Sequence, residues 1–181
     1  MKVRNTALPE VLVISPTIYR DERGEFFETF NQRAMSDIGL PSVWTQDNSS
    51  VSKKNVLRGI HYQIHQPQGK LVRVTQGAVL DVAVDLRRNS PDFGKHIAVE
   101  LNSTSSEMLW IPAGFGHAFL VLSETAGFSY KVTDYYSPVG ERTIAWNDPD
   151  IAIPWPISVN EVIVSEKDRK GALLKDAEVY S

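Results

Sequence analysis

Short β-prone runs alternate with turn residues along the whole chain, and that rhythm leaves few architectures open. Nine such runs, VLVIS, EFFETF, VLRGIHYQ, KLVRVTQ, AVLDVAVDLR, HIAVELN, AFLVLS, FSYKVTDYY and RTIAW, are separated by Gly, Pro, Asn and Asp clusters. This spacing reads as an antiparallel sandwich or barrel. Helical pattern is confined to NQRAMSDIG at 31–39 and SEKDRKGALLKDA at 165–177, where Ser165 and Asp168 have the spacing of a capping box. Both helices are expected to be peripheral. Pro154 and Pro156 mark the exit from the strand-rich body. With 181 residues, no internal repeat and no linker, the chain reads as one domain, 1–181, large enough for a core of its own.

Composition narrows the function classes. The chain has no Cys, which excludes a disulfide framework, a thiolate nucleophile and a Cys-based metal site, and suits a reducing cytoplasm. No apolar run approaches the roughly 18 residues of a membrane span, and MKVRNTALPE has no signal-like stretch, so a soluble cytoplasmic protein without a membrane partner is expected. A formal net charge of −3 argues against a general nucleic-acid binder, leaving anion recognition to local clusters.

Strand parity says which side chains can share a face. In FSYKVTDYY, Phe128, Tyr130, Val132, Asp134 and Tyr136 alternate onto one side, so Tyr130 and Tyr136 can look into one cavity. In AVLDVAVDLR, Leu80, Val82, Val84 and Leu86 form an apolar face; Val79, Asp81, Ala83 and Asp85 fall on the other, where Asp81 is either solvated or paired inside. Arg58 and His61 are three apart, so a regular strand opposes them, unless Gly59 hosts a bulge.

The segment RGIHYQIHQPQGKLVRV, 58–74, concentrates the candidate chemistry. His61 and His65 lie four apart, roughly 13 Å on a strand at about 3.3 Å per residue, so they share a metal only if the chain turns. A metal-binding barrel of this kind is expected to carry His-x-His followed closely by Glu. HYQIHQPQGK has neither, so no metal is expected and His65 reads as an exposed loop residue. Arg23, Arg58, Lys70, Arg73 and Lys167 offer cations for an anion, with scattered surface charge as the competing reading. No Walker-type or GxGxxG loop is present, so a nucleotide must be held by side chains.

These residues fall into a longer series: DERGEFFETF at 21–30, QDNSSVS at 46–52, VLRGIHYQ at 56–63, QGKLVRVTQGAVLDVAVDLRRNSPDFGK at 68–95, WIPAGFGHAFLVLSETAGFSYKVTDYYSPVGERTIAWNDPDIAIPWP at 110–156 and SEKDRKGALLKDA at 165–177. In order and combined length they resemble the dTDP-4-dehydrorhamnose 3,5-epimerases. The resemblance implies an all-β double-stranded β-helix, a cupin-type jelly-roll barrel with short peripheral helices. It also implies a site without metal or cofactor, and a homodimer in which the N-terminal segment of one subunit contributes to its partner's sheet and site. The implied substrate is a dTDP-4-keto-6-deoxy sugar, with His61 as base oriented by Asp168, Lys70 stabilising the enolate and Tyr130 as acid.

Each assignment has a plainer competitor. His61 can be a hydrogen-bonded core histidine, Asp168 the N3 residue of the Ser165 capping box, and Tyr130 an ordinary strand aromatic. The resemblance further implies substrate contacts at Arg23, Glu28, Gln46, Asn48, Arg58, His117, Glu141 and Lys167, with Arg23 and Glu28 serving the partner's site. Arg58 and Arg73 are expected at the diphosphate, whose oxygens suit guanidinium forks. Tyr136 is expected to stack on thymine, and Asp81 to pair with His117. Two departures from the family pattern are a slightly short QIHQPQGK loop and a proline replaced near KDRKGALL.

Overall fold

A computed structural model describes residues 1–181. Strands β1 (Lys2–Asn5), β2 (Leu12–Ser15), β3 (Ile18–Asp21) and β4 (Gly24–Phe27) precede helix α1 (Gln32–Asp37). Then follow β5 (Gln46–Lys53), β6 (Leu57–Gln63), β7 (Lys70–Gln76), β8 (Ala78–Asp85) and β9 (His96–Asn102). The last strands are β10 (Met108–Ile111), β11 (Phe115–Val121), β12 (Thr125–Val132) and β13 (Glu141–Thr143), before the single turn of α2 (Glu166–Arg169) and a 3-10 turn at Leu174–Asp176.

Two antiparallel sheets face each other, in the orders β1-β2-β10-β7-β12-β5 and β13-β6-β11-β8-β9. From β5 to β13 the chain changes sheet at every connection except β8 to β9, which winds it into a jelly roll. The inward faces of both sheets meet in a core that includes Val13, Val72, Val74, Leu109, Phe119 and Phe128. Phe119 and Phe128 stack at 4.2 Å; truncating an aromatic in such a position costs about 3–5 kcal/mol.

Part of each outer face is covered too. Leu80, Val82 and Val84, the apolar face of β8, with Leu86 just beyond it, pack under the C-terminal segment with Ile151, Leu174 and Ala177. Asp148 pins that segment: its carboxylate accepts from the amides of Ile151 at 2.9 Å and Leu174 at 2.7 Å. On the other sheet, α1 lays Met35 against Leu71, Met108 and Trp110. The α1 prediction over 31–39 holds, with Asn31 accepting from the Ala34 amide. The pattern over 165–177 instead yields two short pieces broken at Gly171, where the chain passes so close to Ile144 and Ala145 that a Cβ would lie 2.7 Å from backbone.

Four strands escape the periodicity reading: β1, β3, β5 and β10. β1 is an exposed edge and β10 has only four residues. β5 reads as polar because it is a sheet edge whose alternate residues face a polar cleft. β3 and β4 form a hairpin that pairs with neither main sheet and leaves Tyr19 64% and Phe26 73% exposed.

Candidate active site

One face of the barrel interior is polar, and β6 brings its central residue there. Arg58 and His61 stand opposite Phe119 and His117 of β11, so three steps on β6 match two on β11. That extra residue is a bulge, and it places Arg58 and His61 on one side; both line a cavity of about 380 Å³ with Lys167 and Asp168. Gly59 makes the bulge possible. Its φ is +122°, and a Cβ there would sit 2.5 Å from both the Ala118 Cβ and the His117 carbonyl oxygen.

His61 Nε2 lies 2.5 Å from Asp168 Oδ1, with His61 29% and Asp168 3% exposed. Ser165 caps α2 by accepting from the Asp168 amide at 3.1 Å. The carboxylate faces His61, so the capping role and the histidine contact use different atoms of Asp168. Burial pushes the Asp168 carboxyl up, but the hydrogen bond and charge of His61, with Ser165 and Lys167, outweigh it and hold it below its ordinary value. An ionised Asp168 fixes the Nε2–H tautomer and leaves Nδ1 as the free basic nitrogen of His61.

His61 also lines a second cavity of about 110 Å³ with Lys70, Tyr130, Tyr136 and Glu141. Lys70 opens β7 and is 9% exposed; its Nζ reaches only the His61 carbonyl, at 3.4 Å. Burial lowers its pKa to about 8 against the opposing pull of Asp81 and Glu141. At neutral pH most of the ammonium is retained, with donors free for a ligand oxygen. Tyr130 faces inward from β12, packed on Phe128, and burial raises its hydroxyl pKa, so it keeps its proton at neutral pH.

On the neighbouring edge strand, Asn48 pairs with Tyr130 and Gln46 with Val132, which aligns both with the inward face; Gln46 Nε2 donates to Asn48 Oδ1 at 2.7 Å. Arg58 donates through Nε and one terminal nitrogen to Ser52 Oγ, both at 3.1 Å, so a buried serine aims the fork. The mouth is rimmed by a chain of contacts: Tyr136 donates to Glu141 at 2.9 Å, and Lys167 donates to the other Glu141 oxygen at 2.5 Å. Glu141 stays ionised below its ordinary range because these two bonds outweigh burial. Parity reaches Tyr130 but not Tyr136, since β12 ends at Val132 and a loop carries Tyr136 to the same cavity.

Deeper in, His117 Nε2 lies 3.1 Å from both oxygens of Asp81. Asp81 is fully buried, so the solvated reading is wrong: β8 turns Val79, Asp81 and Ala83 into the barrel. Burial raises the Asp81 carboxyl and lowers the His117 imidazole.

Three expected site residues lie elsewhere. Arg73 is three residues beyond Lys70 on a strand whose register is regular there, so it joins Leu71 on the outer face; the cavity it lines with Phe30, Asp47, Met108 and Lys131 also touches Tyr130 but holds neither Arg58 nor His61. Its assignment to the diphosphate beside Arg58 is therefore corrected. Arg23 is held by Asp21 on the free hairpin, and Glu28 just beyond it accepts from Asn31 at 3.0 Å. Neither touches the polar face of its own barrel. The residues missed by the sequence reading are Ser52 and Gln63; the alternation Gln46, Asn48, Ser50, Ser52 in QDNSSVSK was the available signal.

This arrangement can remove a carbon-bound proton, stabilise the oxyanion formed and return a proton from another direction. The family model for dTDP-4-dehydrorhamnose 3,5-epimerase matches residues 5–176. The chain is 50% identical over 181 residues to the Pseudomonas aeruginosa dTDP-4-dehydrorhamnose 3,5-epimerase, covering 99% of both chains. It is 50% identical over 179 residues to the Salmonella typhimurium enzyme of the same name, covering 98% of this chain and 97% of that one. The crystal structure of a dTDP-6-deoxy-D-glucose-3,5-epimerase from Legionella pneumophila, in complex with dTDP-4-keto-L-rhamnose, superposes with a TM-score of 0.94 at 47% identity over 98% of this chain and 94% of that one. Sequence, barrel and polar face together establish that the chain belongs to the dTDP-4-dehydrorhamnose 3,5-epimerase family.

Proposed function

We propose that this enzyme epimerises C3 and C5 of dTDP-4-dehydro-6-deoxy-D-glucose to give dTDP-4-dehydro-L-rhamnose, with His61 as base, Lys70 at the enolate oxygen and Tyr130 as acid. The observation that carries these roles is the His61–Asp168 pair at 2.5 Å, whose His61 shares a cavity wall with Lys70 and Tyr130.

The C3 and C5 hydrogens are both α to the C4 carbonyl. His61 Nδ1 takes one of them, and the electron pair moves onto the C4 oxygen, where the Lys70 ammonium meets it. Inversion requires a proton from the opposite face, supplied by the Tyr130 hydroxyl; the resulting phenolate and imidazolium then reset for the second carbon. A positioned acid or base contributes on the order of 10² to 10⁴ in rate, so the preorganised charge of Lys70 carries much of the remainder.

Arg58 is assigned to the diphosphate, Gln46, Asn48 and Tyr136 to the nucleoside, and His117, Glu141 and Lys167 to the walls of the sugar site. The free hairpin, with Tyr19 and Phe26 open to solvent and Arg23 at its tip, supports a homodimer in which Arg23 and Glu28 reach the partner's site. Residues 1–181 act as one domain in the cytoplasm; no helix is long and apolar enough to cross a membrane.

The test is NMR of the reaction with dTDP-4-keto-6-deoxyglucose in D₂O. Deuterium at both C3 and C5 with a rhamno-configured product is expected. Exchange at one carbon would reduce the enzyme to a mono-epimerase, and no exchange would refute the reading.

A further inference from the structure

We propose that Gln63 is a positioning residue for nucleotide binding, acting through Tyr136. This inference rests on the proposed function and names a part of the site that makes no assigned contact with substrate.

Gln63 ends β6, two residues after His61, and is 4% exposed. Its carboxamide is fully directed at two loops. Nε2 donates to the Gln66 carbonyl at 2.7 Å and to the Tyr135 carbonyl at 3.2 Å; Oε1 accepts from the Ser137 amide at 2.9 Å. Both N–H donors are therefore in use, and the two bonds to 135 and 137 bracket Tyr136 on either side. The main chain of Gln63 is itself anchored, because its carbonyl accepts from the Tyr180 hydroxyl at 2.7 Å.

The other end of the clasp matters as well. Gln66 has φ +55°, a left-handed conformation that a non-glycine residue keeps only when its surroundings hold it. Gln63 holds its carbonyl, and Gln68 Nε2 donates across to the Asp134 carbonyl at 2.8 Å. The loop before Lys70 and the loop carrying Tyr136 are thus tied together. Tyr136 needs such support, since it is 52% exposed and its own side chain makes one hydrogen bond, to Glu141. Lys70, by contrast, is held within β7 between Val132 and Ile111. Releasing the clasp should therefore loosen the nucleotide wall while leaving the proton-transfer groups in place.

The experiment compares Gln63→Glu and Gln63→Met with the parent enzyme for kcat, KM and dTDP affinity, alone and in a Tyr136→Ala background. Gln63→Glu keeps the acceptor for Ser137 but loses both donors and turns a charge toward two carbonyls. The expected result is KM and the dTDP Kd raised on the order of tenfold, the size of one or two hydrogen bonds, with kcat within about twofold. In the Tyr136→Ala background the further loss should vanish. Unchanged dTDP affinity, an equal loss in both backgrounds, or a fall in kcat at constant KM would each overturn the proposal. Amide exchange of the unmutated enzyme adds a test that needs no variant: the Ser137 amide should be protected, and free exchange there contradicts the clasp. Failure of the parent enzyme to bind dTDP would instead strike the proposed function.

Discussion

Two histidine–aspartate pairs occupy neighbouring positions in this barrel, and they differ in nearly everything except composition. His61 and His117 are cross-strand partners on β6 and β11. His61 faces two cavities, and its aspartate comes from α2, 107 residues away in sequence. His117 is stacked against Phe128 at 5.9 Å, and its aspartate comes from adjacent β8. The pair at the mouth can exchange a proton with a ligand and with solvent. The inner pair is walled by aromatic rings, and burial disfavours charge on both its members. Access and solvation, rather than residue type, separate the proposed base from a histidine that can line the sugar site without moving a proton.

The contrast can be broken most directly at its reactive end. His61→Asn should lower kcat by about 10² to 10⁴, the contribution of one positioned base, whereas His117→Asn should cost under about tenfold. Comparable losses in steady-state kinetics would erase the distinction. Next in size, Lys70→Ala should reduce kcat by about 10² to 10³, as for removal of an oxyanion donor.

A subtler effect links the two pairs through Lys70. In its proposed role Lys70 acts protonated, and its pKa is lowered to about 8, so kcat/KM should decline as pH rises through about 8. Asp81 raises the Lys70 pKa, so Asp81→Asn should move that alkaline limb to lower pH. A limb that stays in place would show that the inner pair does not act on Lys70. The smallest effect belongs to the outer face of the same strand: Arg73→Ala should leave kcat/KM within about twofold, as for a surface change away from the site. A large loss there would return Arg73 to the diphosphate.

Much of this contrast was legible in the sequence, and the exceptions have physical causes. Gly59 marked the bulge because only a residue without Cβ fits both its φ and its approach to Ala118. The same parity rule opposes Lys70 and Arg73, since β7 has no bulge between them, and so tells against the expectation that both serve the substrate. Asp81 could not be placed from β8 alone, because both faces of that strand are buried, one in the barrel and one under the C-terminal segment. β5 was hidden because its inward residues line a cleft and its outer edge is unpaired, so neither face carries an apolar signature. Tyr136 and Asp168 reach the site from a loop and a single helical turn, where periodicity says nothing.

The central claim is that the accessible pair, not the buried one, moves the proton. Deuterium incorporation at C3 and C5 of dTDP-4-keto-6-deoxyglucose, followed by NMR for His61→Asn beside His117→Asn, measures this without requiring product formation. The account predicts exchange slowed by about 10² to 10⁴ with His61→Asn and retained at both carbons with His117→Asn. Exchange that survives loss of His61 and disappears with His117 would contradict it.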